Sequence, residues 1–93
     1  MDTYEIYNIT PRFGTMQPIH NTILRRPCQT LRLETGRREW LLVDVGDEKF
    51  GPHRIALANV TSIQGMPDDS EICIETEYTV YYLRKMRNHS GCS

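Results

Sequence analysis

The sequence has no Cys-x-x-Cys pair, no Gly-x-Gly-x-x-Gly, no Walker loop and no Gly-x-Ser-x-Gly. Those absences remove the usual zinc-ribbon, dinucleotide, P-loop and serine-hydrolase signatures. Its three cysteines, Cys28, Cys73 and Cys92, are odd in number and far apart, which predicts free thiols rather than a disulfide framework. No run of about eighteen apolar residues occurs, so no helix is expected to span a membrane. The opening Met1-Asp2-Thr3-Tyr4-Glu5 is acidic and has no apolar core. A signal peptide is therefore not expected, and the predicted location is the cytoplasm. Three sequons, at Asn8, Asn59 and Asn88, are accordingly read as chance.

Strong charge of one sign is also missing, because the net charge is only −1. The distribution is uneven, however. Residues 1–40 carry a net of +2, residues 41–77 a net of −6, and residues 78–93 a net of +3. Nine of the eleven basic residues are Arg, whose planar fork pairs with carboxylates and phosphates alike. Such a layout serves either recognition or pairing across strands.

Present in abundance are β-formers. Glu71 to Leu83 is the densest run, with no Gly or Pro, and is read as either a bent strand or a hairpin turning near Thr76-Glu77-Tyr78. Even spacing assigns Ile72, Ile74, Val80 and Tyr82 to one face. Tyr4 to Thr10 reads as a first strand ended by Pro11. Between Pro11 and Pro27 the periodicity is lost, but Phe13, Met16, Ile19, Ile23 and Leu24 argue against free solvation. That loop is expected to drape over an open sheet face or await a partner, with a short helical turn at Ile19 to Arg26 as an option. Gln29 to Val45 reads as a hairpin with Gly36-Arg37 at its tip, pairing Leu33 with Trp40, Leu31 with Leu42 and Glu34 with Glu39. Residues 46–52 are a turn by composition, Arg54 to Leu57 a short strand, and Ala58 to Ile63 its continuation or a helical turn.

Six short extended segments predict a single mainly β domain over residues 1–93. The expected form is a small antiparallel curled sheet or partly open barrel of SH3-like or pleckstrin-homology-like size, with at most one short helix. Residues 84–93 read as a frayed basic tail. The charged and glycine positions of the Sm-type RNA-binding signature are absent.

Candidate chemistry is sparse. His20, His53 and His89 have no partner at metal-ligand spacing. A His20–Cys28 nucleophile pair lacks an orienting group. Asp44, Asp47 and Glu48 do not follow the EF-hand alternation. No cofactor or metal is expected, and catalysis is not. The candidate binding residues are Tyr78, Tyr81 and Tyr82 with Arg84, Lys85 and Arg87, joined by Arg25 and Arg26 in the long loop. Aromatics beside Arg suit a protein hot spot or a single-stranded nucleic-acid platform. The acidic middle segment favours the former. The expected function is thus a non-catalytic interaction or regulatory module that occupies a partner's surface, in the manner of small phage- or mobile-element-type inhibitors. The alternative is a barrel binding RNA or single-stranded DNA through Tyr and Arg. An unpaired N-terminal edge strand would further allow homodimerisation by strand addition.

Overall fold

A computed structural model of the chain describes residues 3–32, 35–66 and 70–86. The order is β1 (Tyr4–Pro11), α1 (Pro18–Ile23), β2 (Pro27–Arg32), β3 (Arg38–Val43), β4 (His53–Gly65), β5 (Glu71–Thr76) and β6 (Thr79–Lys85). All neighbours are antiparallel, and the six strands close into a barrel in sequence order as β1 returns to β6. No helix among the described residues is long and apolar enough to cross a membrane.

Closure needs strands that bend, and the bends are visible as slips in register. In β1 both Ile6 and Ile9 are buried although they stand three apart, which strict alternation forbids. The register shift between Ile6 and Asn8 resolves this by placing an extra residue, Tyr7, in the strand. β4 behaves likewise, with Leu57 and Val60 both buried and slips on either side of Val60. Its first half pairs with β3 and its second with β5, so thirteen residues form one bent strand with no helical turn at Ala58.

The Glu71 to Leu83 run is a hairpin, with Glu77 and Tyr78 at its tip. No Asn-Gly is required because Thr76 supplies the turn chemistry. Its buried hydroxyl donates to the Thr79 carbonyl at 2.8 Å and accepts the Thr79 N–H at 3.1 Å. This turn corrects the predicted faces. It pairs even positions with odd ones, Ile74 with Tyr81 and Ile72 with Leu83. The inward set is therefore Ile74, Thr76, Thr79, Tyr81 and Leu83, while Val80 and Tyr82 lie on the outside. Even spacing carried through a two-residue turn inverts its meaning.

The β2–β3 hairpin forms, but not in the expected register. Leu42 faces Gln29 instead of Leu31, and Trp40 faces Arg32. The Leu33 and Glu34 pairings lie outside the described residues. β3 is apolar on both faces, so period alone could not choose between them. The barrel takes Leu41 and Val43 inside and leaves the larger Trp40 half-exposed. A six-stranded barrel has a narrow interior, which favours the smaller side chains. Glu39 follows the same inward phase and is 4% exposed, with the Arg37 Nε 3.2 Å from its Oε1. That contact pairs the charges without the alignment of a hydrogen bond.

The ring is uneven. β1 meets β6 through seven residue pairs but β2 through only two, Tyr4 with Cys28 and Glu5 with Pro27. Ile6 extends the seam by bonding Arg25 and Arg26 of the incoming chain. β1 thus lies between two neighbours and is not the edge strand expected from the sequence. The long Pro-punctuated loop supplies the filling: Ile23 of α1 is wholly buried, His20 is 6% exposed, and Met16 and Leu24 pack against the core. Pro18 sits in the first turn, where its missing N–H costs nothing, and Arg25 takes a left-handed φ of 70° as the chain turns into β2. At the other terminus the chain stays in the sheet further than expected. Arg84 and Lys85 belong to β6, and the Met86 N–H bonds the Thr3 carbonyl. Residues 87–93 of the predicted tail lie outside the described residues.

His20 is the exception in an apolar plug. Its Nδ1 accepts the Gln17 N–H at 3.3 Å, so the proton sits on Nε2, which faces the Tyr81 hydroxyl at 3.4 Å. Its ring meets Tyr81 edge-on at 5.8 Å. Burial pushes the imidazole pKa below its ordinary value of 6.5. Because the folded state disfavours the proton, this contribution to stability is complete above about pH 6.5 and is lost as pH falls through the lower folded value. A His20→Gln variant should therefore lose less thermal stability than the wild type between pH 6.5 and pH 5, as read by calorimetry. Thr76→Val should lower stability by about 1–3 kcal/mol in urea titrations, because the buried Thr79 amide is left unpaired, whereas Thr76→Ser should lose less.

Candidate binding face

Outward side chains of β4, β5, β6 and β1 form two rows running across the strands. The first follows the register Gln64, Cys73, Tyr82 and Asn8, with the extra residue Tyr7 beside it. Cross-strand neighbours on one face stand close enough to touch. Accordingly the Tyr7 and Tyr82 rings lie 6.1 Å apart, tilted by 51°. A shallow groove of about 250 Å³ opens here, lined by Tyr7, Tyr82, Cys73, Gln64, Gly65, Met66, Glu71 and Ile72.

The second row is ionic. Glu71 stands opposite Arg84, and Arg84 opposite Glu5. Arg25 then reaches Glu5 at 4.0 Å from the β1–β2 connection. The sign alternates along the whole row. Two contacts tie the rows together: the Tyr7 hydroxyl donates to Glu71 Oε1 at 2.8 Å, and the Arg84 guanidinium lies 4.4 Å from the centre of the Tyr7 ring. The bond to Glu71 raises the Tyr7 pKa above 10, with smaller upward contributions from partial burial and the Glu71 charge, so the phenol stays neutral. Burial, and to a lesser degree the Glu75 charge, push the Cys73 thiol up, which leaves it protonated and a poor nucleophile near neutrality.

Of the residues singled out by sequence, Tyr82, Arg84 and Arg25 meet on this face. Tyr81 does not, being 5% exposed in the core. Tyr78 is 62% exposed but sits in the β5–β6 turn, where its carbonyl accepts the Arg12 N–H. Lys85 lies at the end of β6, opposite buried Tyr4. Arg26 is exposed, with its guanidinium beside Gly46 of the β3–β4 turn. Arg87 lies outside the described residues. Sequence reasoning missed Tyr7, Glu71, Cys73 and Met66. The available signal was that Tyr7 lies out of phase with Tyr4 and Ile6, but the pairing of first strand with last was needed to find its neighbour.

The other candidate chemistry is accounted for by local structure. Cys28 is buried, and desolvation drives its thiol up to about 12. His20 has both ring nitrogens engaged by Gln17 and Tyr81. In the acidic turn, Asp47 Oδ1 accepts the Lys49 and Phe50 amides, and Oδ2 meets His53 at 2.8 Å. Those bonds hold the Asp47 carboxyl below its ordinary pKa, the Phe50 amide contributing most. Asp44 accepts the Gly46 amide in the same way. Among the described residues no group of three or more His, Cys, Asp or Glu is arranged to hold a metal ion.

Thiol accessibility tests this placement. At pH 8 a maleimide should label Cys73 in the folded protein, as mapped by peptide mass, and reach Cys28 only after denaturant unfolds the barrel. Equal labelling of the two would mean that the β1–β2 seam opens freely. Comparisons with protein-family models, curated proteins and solved structures found nothing that matches this chain, and its functional reading rests on the geometry of this face.

Proposed function

We propose that the chain is a non-catalytic binding module that docks on another protein through the outer face centred on Tyr7, Tyr82 and Arg84. The barrel interior is filled, with Ile6, Leu41, Val43, Val60, Ile74 and Leu83 all at 0% exposure, which leaves the outside for recognition. The observation that carries the reading is the alternating row Glu71, Arg84, Glu5 and Arg25 beside the aromatic pair. A face for nucleic acid requires clustered cations to neutralise phosphates. Here each arginine of the row has a glutamate for a neighbour, and Glu75 in β5 and Glu77 in the turn after it add further acidic groups. Aromatics and arginine within a mixed-charge rim match the composition of protein hot spots, where a few large side chains carry most of the affinity.

The experiment is capture from the native host with the full chain as bait, run in parallel with three variants. Tyr82→Ala and Arg84→Glu should each weaken retention of the partner by about 30-fold or more, the scale of a hot-spot truncation of roughly 2 kcal/mol. Phe50→Ser, on the exposed tip of the β3–β4 turn, should leave retention unchanged. Retention of RNA or single-stranded DNA in place of protein, declining steeply with salt, would replace this reading with the nucleic-acid one.

A further inference from the structure

We infer that the groove beside Tyr7 and Tyr82 receives a cationic side chain, a lysine or arginine presented by the partner protein; this rests on the reading of the face as a protein-docking surface. Of the possible occupants, a cation fits the groove best. The two phenol rings are tilted by 51° and not stacked flat on each other, so they leave ring surface to address a third group. Among the described residues Glu71 is the only formally charged side chain in the lining. Its Oε1 accepts the Tyr7 hydroxyl, while Oε2 has no bond among the described residues. An anionic occupant would be set against that carboxylate. A neutral apolar one would cover Oε2 without giving it a donor, which is the costly way to bury a polar atom. A cation satisfies the carboxylate and the electron-rich rings together.

The shape agrees with the charge. Met66 and Ile72 line the groove with apolar surface suited to the methylene stem of a long basic side chain, while the polar head reaches Glu71. The fold already contains one example of the interaction, because the Arg84 guanidinium lies on the Tyr7 ring at 4.4 Å while standing outside the groove lining. Arg84 balances one side of Glu71 and moderates the attraction, so the affinity of the groove for a single side chain is modest and specificity depends on the surrounding interface.

The test uses the full chain labelled with nitrogen-15 and two capped tripeptides, Gly-Lys-Gly and the same peptide with its lysine acetylated. The lysine peptide should produce saturable shifts at the amides of Tyr7, Cys73 and Tyr82 at millimolar concentration, and the acetylated peptide should not. Glu71→Gln should weaken the lysine peptide roughly tenfold, as expected for loss of a charged hydrogen-bond partner. Equal shifts from both peptides would make the groove merely apolar and overturn the inference, as would absence of shifts or a stronger response to inorganic phosphate. If Tyr82→Ala still abolishes partner capture while the lysine peptide leaves the groove undisturbed, the docking face stands and the cationic occupant falls. If neither effect is seen, both fall.

Discussion

The pairing of β1 with β6, from Tyr4 opposite Lys85 to Pro11 opposite Thr79, joins the two ends of the described chain and turns a curled sheet into a ring. Closure pairs β1 along the length of β6 and leaves the lightly paired β1–β2 seam as the weak point of the ring. It also builds the proposed binding face, because Tyr7 and Glu5 come from the first strand while Tyr82 and Arg84 come from the last. The contact is made across the longest sequence separation available, so the loop-closure entropy must be offset by what the pairing buries. Ile6 against Leu83 and Ile9 against Tyr81 provide that burial on the inner side. The same seven pairs therefore carry stability on one face and build the proposed docking surface on the other.

Closure is uneven, and the opposite seam explains the irregular segment between Pro11 and Pro27. β1 and β2 share only two pairs before they part. A gap in a barrel wall would expose the core, and α1, in the connection between these two strands, turns Ile23 and His20 inward. A helix of six residues has almost no stability of its own. It persists because its buried face is part of the core, and because Gln17 and His20 satisfy each other at its start. Placing a histidine in that plug ties its seating to the protonation of one ring, which an aliphatic residue there would not do.

The sequence made the architecture legible and the faces much less so. Strand-forming runs at Tyr4–Thr10 and Glu71–Leu83, with glycine and proline between segments, sufficed for a small antiparallel β fold with at most one short helix. Face assignment failed wherever an extra residue or a tight turn changed the phase. Tyr82 was assigned to the side of Ile74, yet the two-residue turn at Glu77-Tyr78 puts Tyr81 there instead. The expected register put Trp40 and Leu42 on one shared apolar face, but β3 is apolar on both sides, and the narrow barrel takes Leu41 and Val43 inside. Half of the binding face was unreadable for a different reason. Tyr7 and Glu71 acquire their roles from neighbours more than sixty residues away, and no local period encodes that.

The basic residues singled out from the sequence include Arg84 and Arg25, and the register sets both among carboxylates. Arg84 stands between Glu71 and Glu5, and Arg25 meets Glu5 from the far side. Cross-strand register thus converts segmental charge imbalance into local pairing, and the wide swings along the chain leave little net field on this face. What remains distinctive is shape and polarisability: two tilted rings, one carboxylate oxygen without a bond among the described residues, and an apolar trough beside them. If the face docks a protein as proposed, those properties would discriminate partners at short range through fit and desolvation, with little gained from long-range attraction. Its association should consequently depend weakly on ionic strength, unlike phosphate binding, whose dependence grows with each cation engaged.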